Sequence, residues 1–554
     1  MRTKTICELE EEHKKSLISK DIVHRFRRKM FYLTWMSLLI VITVNDASDL
    51  HRYFHLMDEN IDGKVFSKEL FAFFNRFYEE KQDQLPITPL QTMQIERNII
   101  KRYNGNSSRN YLIRSDFERL FHDLYAIQNQ IPTFLAEEFR PEQVHLSYTH
   151  NLSNEMFISF VTRDRPSSDL RPAIKYDPEE SIAIGDTTTY NVDHWHYWIH
   201  FIHIKDLQAG MKYQYQLGFV QSDNRTMRYI YSDETWTFQT IPPFEQQDKE
   251  IVYIYGDMGT IMPLGFEVMD SLIKDFHSKK EEQADYIVHV GDIAYAGTGS
   301  EEEVQTIWDL YMNQIAPLAS QIPYMTATGN HEKYFNYTSY RTRFFMPSKT
   351  DPAPMEIDGN FYFTLETNFI QWIFLSTEHD YTPGSAQRKF LETFLQQYQQ
   401  KWQNRERPWL ILVGHRPMYS SDQATDSGHL QEQLEPVIIQ YGIDLAVWGH
   451  MHCYERTTPV KYNNFTDRDH FSADGKLYQH NANETSPIHL TIGTAGAWIH
   501  EQWIPKPEWS QSRYQKYGFG KLFAYNRTHL EFRSIIVDKS SSDEEDTFMI
   551  IRQF

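Results

Sequence analysis

Cysteine is nearly absent. Only Cys7 and Cys453 occur in 554 residues, which excludes a disulfide framework, a zinc ribbon and an iron–sulfur cluster. Positive charge is also short: 55 Lys and Arg stand against 75 Asp and Glu, a net −20. Such a chain repels phosphate backbones, so nucleic acid is excluded as a bulk partner, though a local basic pocket is not. Hydrophobic residues make up a modest 40%, but aromatics at 15% bring large buried areas and exclude wholesale disorder. At roughly 100–200 residues per domain the length suggests about three domains.

One long apolar run stands out, Phe31 to Val44, directly after the basic HRFRRK at 24–29. Its fourteen residues fall short of a hydrocarbon core of about 30 Å and suit the apolar region of a signal peptide. Residues 1–47 are therefore read as a leader, with Met30 as an alternative start and cleavage after Asn45-Asp46-Ala47. An uncleaved signal anchor and a buried helix are the other readings. The expected location is secreted or in the endomembrane lumen, with membrane attachment only if the leader stays. Seven N-x-[ST] sequons agree with a glycoprotein: Asn106, Asn151, Asn224, Asn336, Asn464, Asn483 and Asn526.

Residues 48–125 are expected to form a calcium module. The stretch DENIDGKVFSKE at 58–69 places side-chain oxygens of Asp58, Asn60 and Asp62 at loop positions 1, 3 and 5. Gly63 takes the sharp turn, Lys64 offers its carbonyl, and Glu69 closes the loop as a bidentate ligand. Val65 is expected to pair with a partner loop. The flanks LHRYFHLM and LFAFFNRF carry helical apolar spacing. A degenerate second hand follows over Gln94–Tyr125, without the glycine or most carboxylates. The region resembles an α-helical EF-hand pair with Ca²⁺ in its first loop.

Between Gln143 and Ile241, in a domain placed at 139–241, short β-rich runs recur between Asn, Asp, Pro and Ser turns. About seven strands in this space argue an all-β sandwich. LQAGMKYQY at 207–215 resembles the fibronectin type III corner, with Tyr213 as a packing and hydrogen-bonding residue. His194, His196, His200 and His203 fit satisfied or surface residues of alternating strands better than metal ligands.

The remaining domain, 249–554, carries the chemistry. Five apolar runs of strand type end in polar clusters: IVYIYGDMG, YIVHVGDIAY, IPYMTATGNHE, WLILVGHRP and IDLAVWGHMH. Helical stretches between them imply a largely parallel sheet, whose functional groups gather at the carboxyl ends of strands. The glycines before Asp, Asn and His are expected to turn the chain sharply off each strand. Seven residues become candidate ligands: Asp257, Asp292, Tyr295, Asn330, His415, His450 and His452. Oxygen and imidazole donors without thiolate suit Fe(III), Fe(II), Zn or Mn. Asp292 can bridge two ions about 3.5–4 Å apart.

The series GDMG, GDIAY, GNHE, LVGH and GHMH resembles the purple acid phosphatases of the calcineurin-like metallophosphoesterase superfamily, over residues 139–554. The resemblance implies a four-layer αββα metallophosphoesterase domain behind the β-sandwich. It assigns Fe(III) to Asp257, Asp292, Tyr295 and His452, with a violet colour from the Tyr295 phenolate. A divalent ion (Fe, Zn or Mn) falls to Asp292, Asn330, His415 and His450. Asn330 and His331 are placed at the substrate phosphate. The implied activity is hydrolysis of small phosphate monoesters in acid by a metal-bound hydroxide. A diesterase or nucleotide pyrophosphatase on the same centre is a second reading. A calcium-responsive binding protein with a vestigial phosphatase domain is a third. The oligomeric state is left open, a homodimer included.

The sequence departs from the family in two places. The fourth motif reads Leu412-Val413-Gly414-His415 rather than Val-x-x-His, and the plant His-His pair is missing, with only His429 nearby. Cys453, next to His452, is read as a small packing residue.

Overall fold

In a computed structural model, residues 64–66, 111–113 and 141–552 are described, apart from 164–167, 179, 193–194, 196, 223–226, 233, 261, 263, 299–303, 348–359, 403–406, 425–427, 467, 481–485 and 538–543. The strands Lys64–Phe66 and Tyr111–Ile113 form a two-stranded antiparallel ladder with Val65 opposite Leu112. Val65 thus meets a strand from the second half of the 48–125 segment. Asp58, Asn60, Asp62 and Glu69, their flanking helices and the leader lie outside the described residues. The five α-helices among the described residues all belong to the 249–554 domain, so an EF-hand helical pair is not among them. No described helix is long and apolar enough to cross a membrane.

The β-sandwich and the 249–554 domain form one compact unit. Nine strands among the described residues build the sandwich, two more than the spacing of turns suggests. One sheet runs Glu142–Ser147, Met156–Thr162, Trp198–Ile204, Asp186–Thr188. The other runs Met227–Tyr231, Lys212–Ser222, Leu170–Tyr176, Ser181–Ile184, with Trp236–Gln239 also on the long second strand. The Tyr213 hydroxyl accepts the Gln208 amide at 2.7 Å, closing the expected corner. His200 is buried between the hydroxyls of Thr162 and Thr187, and His203 pairs with Glu155, so both are satisfied without a metal.

The sandwich docks through a buried polar network. Asp309 pairs with Arg343 at 2.9 Å and accepts from Gln143 Nε2 and Trp195 Nε1, both at 3.0 Å. The Arg343 guanidinium lies 4.6 Å from the Trp195 ring. Losing either charge would strand the other in the interior, together with the contacts that Gln143 and Trp195 of the sandwich make to the pair.

The 249–554 domain sets two seven-stranded sheets face to face. The first runs Tyr324–Ala327 (β3), Tyr286–Val290 (β2), Glu250–Tyr255 (β1), then Gly518–Ala524, His529–Ile536, Glu544–Arg552 and Leu477–His480. The second runs Phe363–Glu366, Ile370–Phe374, Trp409–Val413 (β4), Leu445–Trp448 (β5), Ile488–Ile492, Tyr454–Thr457 and Ser510–Tyr514. Trp372 donates to the Tyr286 hydroxyl at 2.7 Å between the sheets, and Tyr454 stacks on Phe532. Helices Ala386–Lys401 and Gly428–Tyr441 bury Leu391, Leu395, Leu434 and Ile438 with Leu410, Leu412 and Ala446 of the second sheet. Each sheet is half antiparallel, against the largely parallel expectation. In the first sheet the closing strands Gly518–Ala524, His529–Ile536 and Glu544–Arg552 follow one another through short turns, which cannot join parallel neighbours. β1–β3 and β4–β5 do run parallel, so their carboxyl ends share one edge.

Glu250, on β1, is buried and accepts from the Thr367 hydroxyl at 2.7 Å, the Phe369 amide and the Tyr286 phenol. Burial pushes its pKa from 4.5 up to about 7 against those hydrogen bonds. A raised pKa stabilises the fold below the unfolded value and loses that stabilisation as pH rises through 7. The stability of wild type relative to Glu250→Gln should therefore fall between pH 4.5 and 7.5, by on the order of 3 kcal/mol. Denaturant titrations of both proteins across that range measure it; a pH-independent difference would contradict it.

Candidate metal centre

All five polar clusters lie at the strand ends that the pattern predicts. The backbone solution differs from the expected glycine turns. Asp257, Asp292, Tyr295 and His450 themselves occupy left-handed conformations, with φ of 61°, 48°, 55° and 65°. Each such residue costs about 1–3 kcal/mol, a strain typical of functional sites. Of the glycines that precede the ligands, Gly291 has positive φ, 87°, whereas Gly329 serves close approach. A Cβ on Gly329 would stand 2.3 Å from Asp292 Oδ1 and 2.4 Å from the Asp292 amide.

The seven candidates converge in two groups. In the first, the Tyr295 hydroxyl lies 2.9 Å from Asp257 Oδ1 and 2.6 Å from His452 Nε2. In the second, His415 Nε2 lies 3.2 Å from both Asp292 Oδ2 and Asn330 Oδ1. One donor atom each from Asp292, His415 and His450 fits within 4.8 Å. The groups are tied together where the His450 amide donates to Asp257 Oδ2 at 2.8 Å.

Tautomers are fixed from outside. His415 Nδ1 donates to the Val290 carbonyl at 3.0 Å, and His452 Nδ1 to the Trp498 carbonyl at 2.6 Å. Each neutral ring then presents a bare Nε2 lone pair inward, the arrangement that second-layer carbonyls give metal-ligating histidines. The His452 lone pair meets the Tyr295 hydroxyl, but that of His415 faces the Asp292 carboxylate and the Asn330 amide oxygen, acceptor against acceptor, which demands a cation between them. Without a metal that cation is a proton: burial disfavours charge on His415, but Asp292 pushes its pKa up to about 10. The buried carboxyls of Asp257 and Asp292 are held below the usual range despite burial, through His452 and His415 respectively. Burial and Asp257 raise the Tyr295 phenol well above its ordinary value, so only a strongly positive ion could make it a phenolate here. The residues present fit a pair of hard metal ions.

His331 lies on the open side of this cluster. Its amide donates to Asp292 Oδ1 at 2.8 Å, its Nε2 is 3.8 Å from Asp292 Oδ2, and its ring lies 4.5 Å from that of Tyr295. Its Nδ1 has no hydrogen-bond partner among the described residues. Burial lowers its pKa.

Three family models match the chain: a purple acid phosphatase N-terminal domain over 141–240, a calcineurin-like phosphoesterase over 251–454, and an iron/zinc purple acid phosphatase-like C-terminal protein over 486–544. Acid phosphatase type 7 of Danio rerio is 30% identical, covering 72% of this chain and 89% of that protein. The chain belongs to the purple acid phosphatase family. A protein called probable inactive purple acid phosphatase 9, from Arabidopsis thaliana, is 27% identical over 66% of this chain and 59% of its own length. The solved purple acid phosphatase PPD1 from yellow lupin superposes with a TM-score of 0.63 at 25% identity, covering 75% of each chain.

Sequence reasoning passed over Glu332, the last letter of GNHE. Its buried carboxyl accepts the amides of Gly329, Asp292 and Ile293 at 2.7, 3.0 and 2.8 Å, pinning two ligand loops to each other. Burial and Asp292 push its pKa up to about 8. Also unforeseen are Arg416, which contacts His450, and the Asp422–His500 pair, whose imidazole lies 4.6 Å from that of His452. His429 bonds instead to the Tyr381 hydroxyl. Cys453 is buried with its thiol raised well above the ordinary range, consistent with packing. Of the sequons, Asn151, Asn336, Asn464 and Asn526 are exposed; Asn106, Asn224 and Asn483 lie outside the described residues.

Gly329→Ala should push Asp292 off its place beside His415. The expected result is a folded protein that has lost most bound metal, read by elemental analysis, at a stability cost of about 1–3 kcal/mol. Full metal content would show that the loop yields instead.

Proposed function

We propose that this chain hydrolyses phosphate monoesters in acid at a centre holding Fe(III) and a divalent ion (Fe, Zn or Mn). The observation that carries this reading is the pair of inward donor groups, Asp257–Tyr295–His452 and Asn330–His415–His450, with Asp292 alongside the second. Asp257, Tyr295, His452 and Asp292 would hold the ferric ion; Asp292, Asn330, His415 and His450 would hold the divalent one. When bound, such ions polarise a phosphate ester and lower the pKa of water. The chain's own part is positional. Glu332 and the two carbonyl-anchored histidines hold the donors in place before substrate arrives, so little reorganisation remains.

His331 is placed to hold a proton near the phosphoryl group. Burial lowers the pKa of its imidazole, and an entering phosphate anion would raise it. The partly exposed ring lets it donate to a phosphate oxygen or the leaving alkoxide. The secreted setting and the glycans at exposed asparagines belong to this proposal. So does Ca²⁺ at Asp58, Asn60, Asp62, Lys64 and Glu69, for which the Val65–Leu112 pairing is the supporting contact.

Hydrolysis of p-nitrophenyl phosphate, bis-p-nitrophenyl phosphate and pyrophosphate at pH 4–8 tests the activity, with monoester turnover expected to lead in acid. His331→Ala should retain both metals and lose about 10²- to 10⁴-fold in kcat. Tyr295→Phe should abolish the visible charge-transfer band. A metal-loaded wild type with no turnover would favour a vestigial domain, and faster diester or pyrophosphate cleavage would favour the diesterase reading.

A further inference from the structure

Arg416 follows the candidate ligand His415, and loop 376–379 holds it by one edge. Its amide donates to Thr377 Oγ1 at 3.0 Å, and that hydroxyl donates to Glu378 Oε1 at 3.0 Å. Glu378 then accepts from Arg416 Nε at 2.8 Å and Nη2 at 3.1 Å. This bidentate grip fixes the plane of the guanidinium. Glu378 is 10% exposed and Arg416 41%, so the carboxylate is the buried anchor and the guanidinium the accessible end. The remaining nitrogen, Nη1, lies 2.9 Å from His450 Nε2.

That contact cannot survive ligation of His450. A guanidinium only donates, so Nη1 uses the Nε2 lone pair, and the neutral ring then carries its hydrogen on Nδ1. Such a ring has no lone pair left for an ion. If Nε2 turns to an ion, Arg416 loses its acceptor; if Nδ1 does, Nε2 carries the hydrogen and repels Nη1. In either case Nη1 is released while Glu378 still holds the other two nitrogens. A permanent positive charge, one donor free, is then fixed beside the centre.

We propose that Arg416 binds an anionic phosphate oxygen of the substrate through Nη1, with Glu378 as its positioning residue. The inference rests on the phosphatase reading and adds a substrate contact to it. The shared chemistry is a phosphate oxygen, of either the scissile group or the next phosphate of a pyrophosphate.

The test uses full-length, metal-loaded wild type, Arg416→Ala, Arg416→Lys and Glu378→Gln. Inorganic phosphate binding is measured by calorimetry, kcat and KM with p-nitrophenyl phosphate and pyrophosphate, and metal content on every sample. Arg416→Ala should keep both metals and weaken phosphate binding or raise KM by about 10- to 100-fold. Arg416→Lys should recover part of the loss, and Glu378→Gln should raise KM less than Arg416→Ala. Loss with both substrates assigns the contact to the scissile group; loss confined to pyrophosphate assigns it to the neighbouring phosphate. Loss of metal in Arg416→Ala would make the residue a support for His450 and overturn the proposal. Unchanged phosphate affinity and KM for both substrates would overturn it too, while leaving the phosphatase reading intact. A metal-loaded wild type that neither binds phosphate nor turns over would sink both.

Discussion

Asp292 sits where three demands meet. Its amide is tied to Glu332, its Oδ1 accepts the His331 amide, and its Oδ2 faces the bare nitrogen of His415. A buried carboxylate so placed is expensive unless positive charge answers it. Among the described residues Asp292 has no Lys or Arg as an ion-pair partner; it has the imidazoles of His415 and His331. The architecture therefore commits to an external cation, and the rest of the domain holds that commitment in register.

Holding it requires rigidity on two scales. Locally, the Val290 and Trp498 carbonyls set two imidazole rings, and Glu332 joins the second and third ligand loops through three amides. Globally, the ligands come from both sheets: Asp257, Asp292, Tyr295 and Asn330 follow strands of the first, His415, His450 and His452 strands of the second. Any sliding between sheets would pull the groups apart. Contacts such as Trp372 to Tyr286 and Tyr454 on Phe532 resist that motion across the core. Gln143 and Trp195 of the sandwich bond to the Arg343–Asp309 pair of the same domain and tie the two together.

Much of this was legible because metal ligation leaves a local signature. Each ligand follows an apolar strand directly, so strand and donor share one short word, and five such words marked the sheet edges. The sandwich showed through alternation and through Tyr213. What escaped the sequence is what depends on pairings distant in the chain. The half-antiparallel sheets come from the closing strands, whose partners no local period names. The role of the glycines was misread because crowding at Gly329 comes from Asp292, 37 positions earlier (329 − 292). Glu332 stood inside a quoted motif, but its function lies in amides of two separate loops.

A division of labour follows from where the donors sit. Ligands at strand ends inherit the precision of the sheets, and their left-handed backbones are tolerated because that frame over-determines them. Groups that face the opening, such as His331, Arg416 and His500, either sit on the outer side of the ligand turns or come from loops beyond them. Loop 376–379, which carries Glu378, lies past Ile370–Phe374, a strand that delivers no candidate ligand. The candidate donors are accordingly written into the sheets, whereas the groups around the opening are written into loops that no strand pattern encodes. The missing plant His-His pair is a change of the second kind, and it leaves all seven donors in contact.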